Sequence, residues 1–261
     1  MTQTLNFVAL LGRALISACS TLGNVALFAL VGVSHLVRPP FQFRQFWRHF
    51  IEIAYFSLPV VALTALFTGM VLALQSFTGF SRFNAESAIA SVVVLSVTRE
   101  LGPVLAGLMV AGRIGAAVAA ELGTMRVTDQ IDALTTLSTD PMKYLVAPRL
   151  LAATLAMPLL VLVADILGVL GGYLIGTVKL GFVSETYLSN SWNVLQTMDV
   201  VSGLVKAAVF GFIIALMGAW CGYNSKGGAQ GVGQATTRAV VASSILILAL
   251  DYVITEAFFS R

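Results

Sequence analysis

Residues 151–176 read LAATLAMPLLVLVADILGVLGGYLIG, an apolar run interrupted by a single charged residue, Asp165. A helix needs about 20 apolar residues to cross the hydrocarbon core of a bilayer, and this run exceeds that length. Because no water in the bilayer core can pair with the backbone, a run this long favours a helix over the alternating strands of a barrel. The stretch therefore predicts a membrane-spanning helix.

Four further runs of the same character lie at 53–74, 101–120, 200–221 and 239–259. Of the 261 residues, 58% are hydrophobic and 10% are charged, whereas about a quarter of the residues of a soluble domain are charged. The mean hydropathy is +0.91. The composition predicts an all-α integral membrane protein, a single domain over 1–261 with a transmembrane bundle at 53–259. Its basic residues form no run, which argues against a nucleic-acid partner.

The N-terminal stretch 5–33 is less clear, because Arg13, Asn24 and several glycines interrupt an otherwise apolar run. A segment of this kind could span the membrane or lie in its interface. Arg38-Pro39-Pro40 should end the helix, and 41–50 mixes aromatic and basic residues as a membrane boundary does. Residues 1–50 are therefore set apart from the bundle, with both alternatives open.

The distribution of positive charge predicts the orientation. Of the 15 Lys and Arg residues, nine fall at one set of helix ends, five at the other, and Arg113 falls within the second run. The face with more Lys and Arg is expected to be cytoplasmic, which leaves the C-terminus outside. The nine are Arg13, Arg38, Arg44, Arg48, Arg126, Lys143, Arg149, Lys226 and Arg238, and the five are Arg82, Arg99, Lys179, Lys206 and Arg261.

Four charged residues fall at one depth in the outer half of the predicted bundle: Arg99, Glu100, Lys206 and Asp251. A charge inside a membrane is costly and marks a candidate functional site. The residues could neutralise one another as the pairs Lys206–Asp251 and Arg99–Glu100. They could instead receive a zwitterionic head group, with its phosphate on Arg99 or Lys206.

Apolar side chains near the same boundary could form a wall for acyl chains, or could be ordinary lipid-facing residues. They are Leu72, Phe77, Phe80, Phe83 and Leu101.

The deeper charges Arg113 and Asp165 are expected to pair within the bundle. Small residues recur at every fourth position, at 107, 111, 115 and 119 and at 168, 172 and 176, and predict close helix packing within one chain or at a dimer seam.

The motifs of ATP and metal chemistry are missing from the sequence. The nearest imitation of a phosphate-binding loop, GAQGVGQ at 228–234, lacks the required lysine, so ATP should be hydrolysed by another chain. His35 and His49 stand without a Cys or carboxylate constellation, so we expect no metal site. No cofactor is expected on this chain, and we do not expect it to be an enzyme.

The longest predicted cytoplasmic connection, 121–149, reads ELGTMRVTDQIDALTTLSTDPMKYLVAPR. It predicts a short helix that begins at Thr128, with Asp129 and Asp132 in the first turn, where the helix dipole favours acids. With Ile131 and Leu134 beside these acids, the helix could dock a partner, or the segment could be a solvated connector.

These residues carry a specific resemblance. Residues 99–134, RELGPVLAGLMVAGRIGAAVAAELGTMRVTDQIDAL, and 138–149, STDPMKYLVAPR, closely resemble the MlaE (YrbE) permease family. The similarity continues through Gly171-Gly172, Lys206, ATTRAVVASS at 235–244 and Leu250-Asp251-Tyr252, and covers nearly all of the chain after about residue 42. Members of this family are the membrane subunits of Mla-type phospholipid ABC transporters.

The resemblance implies an interfacial or elbow helix, five spanning helices and a cytoplasmic coupling helix that seats on the ATPase. It implies phospholipid in an outward-open cavity at a dimer interface. The implied substrate-binding residues are Arg99, Glu100, Lys206, Asp251, Leu72, Phe80, Phe83 and Leu101. The implied coupling residues are Glu121, Gly123, Thr124, Met125, Thr128, Gln130 and Asp132.

The resemblance also implies the cellular setting. The partners would be a second copy of the chain, an ABC ATPase that uses ATP and Mg, a periplasmic lipid-binding subunit with an MCE domain and, in some systems, a STAS-domain accessory subunit. The location would be the inner membrane of a Gram-negative bacterium, with the N-terminus cytoplasmic and the C-terminus periplasmic. The activity would be phospholipid movement between that membrane and the periplasm or outer membrane, which contributes to outer-membrane lipid asymmetry.

Two other functions remain as alternatives. A self-contained, ion-coupled secondary transporter of an amphipathic substrate could use Asp165 or Asp251 as its proton or ion site. A lipid-modifying enzyme would need a nucleophile with a base at one depth, and Ser243 and Ser244 have no histidine near them in the sequence.

Overall fold

The computed structural model describes residues 2–39, 42–83 and 85–260, without the side chains of 2–11, 14, 18, 37, 83 and 86. Within this part, all regular elements are helical. The long helices are α1 (Thr2–Val37), α2 (Phe43–Phe80), α3 (Ile89–Val127), α5 (Met142–Lys179), α7 (Thr197–Tyr223) and α8 (Gly228–Phe259). Two shorter helices are α4 (Gln130–Thr136) and α6 (Ser184–Val194).

Six helices in the described residues are long and apolar enough to cross a membrane. Five of them, α2, α3, α5, α7 and α8, contain the five predicted spans, so the all-α membrane fold is confirmed. The sixth is Leu15–Leu36 of α1. Within the described part, α1 ends at Val37, just before Arg38 and the proline pair, as predicted.

Described side chains of α1 pack against the end of α7 and the start of α5. Phe28 is buried, with its ring 5.3 Å from that of Trp220 and 5.8 Å from that of Tyr223 at the end of α7. Gly32 lies against Leu150 near the start of α5. These contacts support the interfacial alternative for α1, which stays a prediction.

The centre of the bundle is α5, which packs against α2 along its length and against α7 on another side. The helix α7 in turn contacts α3 and α8, and α8 covers α3. The side chains of Leu122, Leu150, Met157, Phe210 and Ile214 are fully buried where these helices meet. In contrast, α8 and α2 bury only small shares of their apolar surface and present the rest outward.

Glycines determine how closely α2 and α5 approach. A Cβ on Gly69 would stand next to the carbonyl oxygen of Gly168, and a Cβ on Gly171 would stand next to that of Leu66. Gly172 lies against Val93 of α3. The row at 168 and 172 therefore serves packing within one chain, the first of the two predicted uses of small residues.

The structure corrects two predicted starts. The second span begins at Ile89 rather than at Leu101, so Arg99 and Glu100 lie about three turns inside it instead of opening it. The short helix in the 121–149 connection begins at Gln130 and not at Thr128. Thr128 is the C-cap of α3, with its hydroxyl donating to the carbonyl oxygen of Thr124 at 2.8 Å, and the left-handed Asp129 (φ 57°) separates the two helices.

Candidate functional site

The four charged residues come together from three helices. Arg99 and Glu100 lie in a π-helical segment of α3, Val97–Leu101, while Lys206 lies in α7 and Asp251 in α8. The wider turn of a π-helix is common at functional sites. We call Arg99, Glu100, Asp199, Lys206 and Asp251 the charged cluster.

Lys206 is the centre of this cluster and is fully buried. Its ammonium donates to Glu100 Oε2 at 2.7 Å and to the carbonyl oxygen of Arg99 at 2.9 Å. Asp251 Oδ1 lies 2.8 Å from Nζ, an ion-pair contact without hydrogen-bond geometry. Lys206 therefore holds α3 and α8 to α7.

Thr255 adds a polar contact on α8. Its Oγ1 lies 2.9 Å from Glu100 Oε1 and 2.8 Å from the carbonyl oxygen of Asp251. Because a hydroxyl has one proton, it donates to one of these acceptors at a time. Glu100 is therefore held by Lys206 at one oxygen and can be held by Thr255 at the other.

Arg99 has a partner that the sequence did not reveal, Asp199. Its Nε and one terminal nitrogen lie 2.7 and 2.6 Å from Asp199 Oδ1, while the other carboxylate oxygen accepts the backbone N–H of Gln196 at 2.9 Å. Asp199 is fully buried and belongs to a capping box at the start of α7. The guanidinium also lies 4.3 Å from the ring centre of Phe259.

The cluster is paired inside and open at one edge. The side chains of Lys206 and Asp199 are 0% exposed, and that of Asp251 is 18% exposed. Arg99 and Glu100 keep 33% and 37% of their side chains exposed. With two cations and three carboxylates, the cluster presents one cation and one anion side by side at its accessible edge.

A second group of polar residues lies at the other end of α3, around α4. Arg126 and Asp132 form an exposed ion pair of 2.6 Å, and Glu121 pairs with the buried Arg149 at 2.8 Å. The sequence also placed Ile131 on the docking surface, but the structure buries it. Leu137, just after α4, is 75% exposed and was missed.

The profile of a known protein family, described as Permease MlaE, matches residues 46–257. This chain belongs to the MlaE permease family. The matched range includes every residue of the charged cluster and the whole of α4.

Full-length relatives agree with this assignment. The chain is 58% identical to a probable ABC transporter permease protein of Rickettsia bellii, over 98% of each chain. It is 34% identical to the intermembrane phospholipid transport system permease protein MlaE of Haemophilus influenzae, over 97% of this chain and 98% of that one. It is 39% identical to the chloroplastic protein TRIGALACTOSYLDIACYLGLYCEROL 1 of Arabidopsis thaliana, over 78% of this chain and 58% of that one.

In this MlaE family member, the structure confirms one of the two predicted ion pairs and corrects the other. The pair Lys206–Asp251 is present, but Arg99 does not pair with Glu100. Because α3 turns the two neighbouring side chains to different partners, Glu100 meets Lys206 and Arg99 meets Asp199.

The predicted apolar residues do not surround the charged cluster within this single chain. Leu72, Phe77 and Phe80 pack around Ile89 and Val97, on the side of α3 that faces α2 and α5. Leu101 also lies on the α2 side. The side chain of Phe83 lies outside the described residues. A shared cavity for the apolar and charged sets stays a prediction.

The predicted coupling residues divide into exposed and packed positions. Glu121, Thr124, Thr128, Gln130 and Asp132 are exposed around α4. Gly123 is buried against Val232, and Met125 is partly buried against the core. The exposed positions could meet another chain, whereas Gly123 and Met125 shape the surface that carries them.

The two deeper charges have different surroundings. Arg113 lies in a second π-helical segment, Ala111–Gly115, and donates to Ser57 Oγ at 2.9 Å. Asp165 is buried, and its Oδ1 has no hydrogen-bond partner in the described structure. The prediction of a partner within the bundle is therefore confirmed for Arg113 but not for the Asp165 Oδ1 atom.

Proposed function

We propose that this chain is the membrane-spanning permease subunit of an ABC transporter that moves phospholipids between the inner membrane and the periplasm or outer membrane. Membership of the MlaE family supports this, as does similarity to a relative named as an intermembrane phospholipid transport permease. The structural observation that carries the proposal is the open edge of the charged cluster, where Arg99 and Glu100 stand next to each other.

A zwitterionic head group has the complementary charges. The guanidinium of Arg99 can hold a phosphate by charge-assisted hydrogen bonds, and the carboxylate of Glu100 can accept from an ammonium. Lys206 is fully buried and already contacts three oxygen atoms, so its role is to hold Glu100 in place. The head group therefore meets Arg99 and Glu100, while Lys206 and Asp251 support them from behind.

The energy source is a separate chain. An ABC ATPase, using ATP and Mg, docks on the cytoplasmic surface formed by α4 and the end of α3. Exposed Gln130 and Asp132 supply polar contacts there, and exposed Leu137 supplies an apolar one. Central apolar anchors with polar neighbours are the usual composition of a protein interface.

The assembly contains two copies of this permease, since an ABC transporter needs two membrane halves and this chain supplies one. The outward-facing apolar surface of α8, with Val241, Ile245, Leu248 and Tyr252 exposed, is a candidate for the contact between copies. The MCE-domain and STAS-domain subunits complete the system. The orientation is the one given by the basic residues, with the N-terminus and α4 cytoplasmic and the C-terminus periplasmic.

The head-group role is tested by lipid co-purification. We expect Arg99→Gln and Glu100→Gln each to reduce the phospholipid bound per dimer, measured by mass spectrometry of lipid extracts. Arg82→Gln is the matched control, since Arg82 is an exposed residue on the same predicted face. Unchanged lipid content in both cluster variants, with intact folding, would remove this edge as the head-group site.

A further inference from the structure

A buried acidic residue, Asp165, lies on the opposite side of α3 from the charged cluster. Asp165 in α5 is 7% exposed, and its Oδ1 is enclosed next to Gly102 of α3 with no hydrogen-bond partner in the described part of the chain. Two nearby hydroxyls are already engaged. Thr98 donates to the carbonyl oxygen of Val94 at 2.8 Å, and Ser191 donates to that of Tyr187 at 2.9 Å.

Asp165 lines a groove of about 330 Å³ between α3, α5, α6 and the start of α7. Apart from Asp165, Thr98, Ser191 and Trp192, the lining residues are aliphatic. A volume of this size can hold a lipid head group and the first part of an acyl chain. The groove therefore combines apolar walls with one carboxyl group, whose second oxygen, Oδ2, is the acceptor left for a ligand because Oδ1 is enclosed against Gly102.

The outer end of the groove lies at the level where head groups are found, and Asp165 lies deeper along it. Val200, in the first turn of α7, and Trp192, which is 80% exposed, both line it. The start of α7 is on the outer face of the predicted topology, and exposed Trp residues are typical of the membrane interface. An outer-leaflet lipid can therefore reach Asp165 from the side.

The groove is distinct from the charged cluster. Thr98 lines the groove, while the next two residues of α3, Arg99 and Glu100, turn toward α7 and α8. Neither cation of the cluster, Arg99 or Lys206, lines the groove, and their ion-pair partners are Asp199, Glu100 and Asp251 rather than Asp165.

We propose that this groove is a lateral binding site for an outer-leaflet phospholipid with a primary ammonium head group. The ammonium donates to Oδ2 of the Asp165 carboxylate, and an acyl chain lies along Leu162, Ile166 and Leu188. A trimethylammonium group has charge but no N–H donor, and an anionic head group is repelled, so both bind less well. This equilibrium site goes beyond the proposed transport function and does not depend on it.

Trp192 provides a reporter within the groove. The permease is placed in nanodiscs of equal parts phosphatidylethanolamine and phosphatidylcholine, and only the lipid that carries brominated acyl chains is exchanged. The other two tryptophans, Trp47 and Trp220, do not line the groove. The part of the tryptophan fluorescence quenching that is lost in Trp192→Phe is therefore assigned to this site. One charge-assisted hydrogen bond is worth about tenfold in affinity, so we expect about tenfold preferential occupancy by phosphatidylethanolamine.

Two variants test the role of the carboxylate. Asp165→Asn keeps the shape of the side chain but removes its charge. It should bring the ratio of phosphatidylethanolamine to phosphatidylcholine occupancy close to one. Leu162→Lys places a tethered ammonium one turn away, where it can pair with Asp165, and should also abolish the preference in a folded protein. Glu185→Gln, at an exposed position on α6 outside the groove, is the control and should keep it.

Equal quenching by both brominated lipids in the unaltered protein would overturn the proposal. So would a preference that survives both Asp165→Asn and Leu162→Lys. Since no ATPase is present, these results are separate from any failure of ATP-driven transport.

Discussion

Replacing Lys206 by methionine tests whether the charged cluster holds α3, α7 and α8 together. Methionine keeps most of the apolar stem and removes the ammonium, so little cavity is created. Glu100 Oε2 and Asp251 Oδ1, which lie 2.7 and 2.8 Å from Nζ, would then face each other without a cation.

The expected loss can be bounded from the structure. Removing one partner of a fully buried ion pair costs about 3–5 kcal/mol. The side chains of Glu100 and Asp251 are 37% and 18% exposed, so water compensates part of the loss. We therefore expect a loss of about 2–3 kcal/mol in the free energy of unfolding. Adding Asp251→Asn removes the like-charge repulsion and should restore about 1 kcal/mol or more.

The assay is unfolding of the purified permease in mixed micelles with an increasing fraction of sodium dodecyl sulfate, followed by circular dichroism. Lys179→Met is the control, because Lys179 is exposed at the end of α5 and a surface change should stay within about 0.5 kcal/mol. If Lys206→Met unfolds at the same midpoint as Lys179→Met, the reasoning about a buried structural ammonium is refuted.

Three further predictions concern docking, packing and topology. Asp132→Arg should weaken pull-down of the ATPase without changing permease stability, because the ion pair it removes is exposed; undiminished binding would argue against α4 as the docking point. Gly171→Ala should cost about 1–3 kcal/mol in the same unfolding assay, because its Cβ would meet a backbone oxygen of α2, while Gly79→Ala, with open space around it, should not. In a background without the native cysteines, Leu137→Cys should be labelled from the cytoplasmic side and Ser260→Cys from the outside; labelling from one face would exclude the proposed topology.

The spans were predictable because lipid imposes a simple requirement on the backbone, and each of the five apolar runs is long enough to meet it. Their ends were less predictable. The helix α3 begins at Ile89, before the predicted start, and the polar segment 121–127 continues it. At the other end, residues 89–98 are themselves mostly apolar, and the charged pair Arg99-Glu100 made the run look as if it began at Leu101.

The charged cluster could be predicted in part. Arg99, Glu100, Lys206 and Asp251 stood out because charges are rare within spans. Asp199 did not, because it lies three residues after Gln196 at the start of α7, where an acid is expected for capping alone. Its pairing with Arg99, 100 positions away in the chain, depends on how α3 and α7 cross.

The burial of Ile131 shows a similar limit. An apolar residue on a short surface helix can face a partner or its own core, and the two turns of α4 do not distinguish these cases. The structure buries Ile131 and exposes Leu137 after the helix has ended.

The most direct test of the central claim is phospholipid movement by the reconstituted protein. The permease is placed in proteoliposomes with and without the proposed ABC ATPase partner, and transfer of a fluorescent phospholipid to an acceptor is followed. We predict transfer that requires both ATP and the ATPase and falls when Arg99 is replaced by glutamine. Transfer driven by an ion gradient through the permease alone, with no response to ATP, would contradict the assignment and favour the secondary carrier.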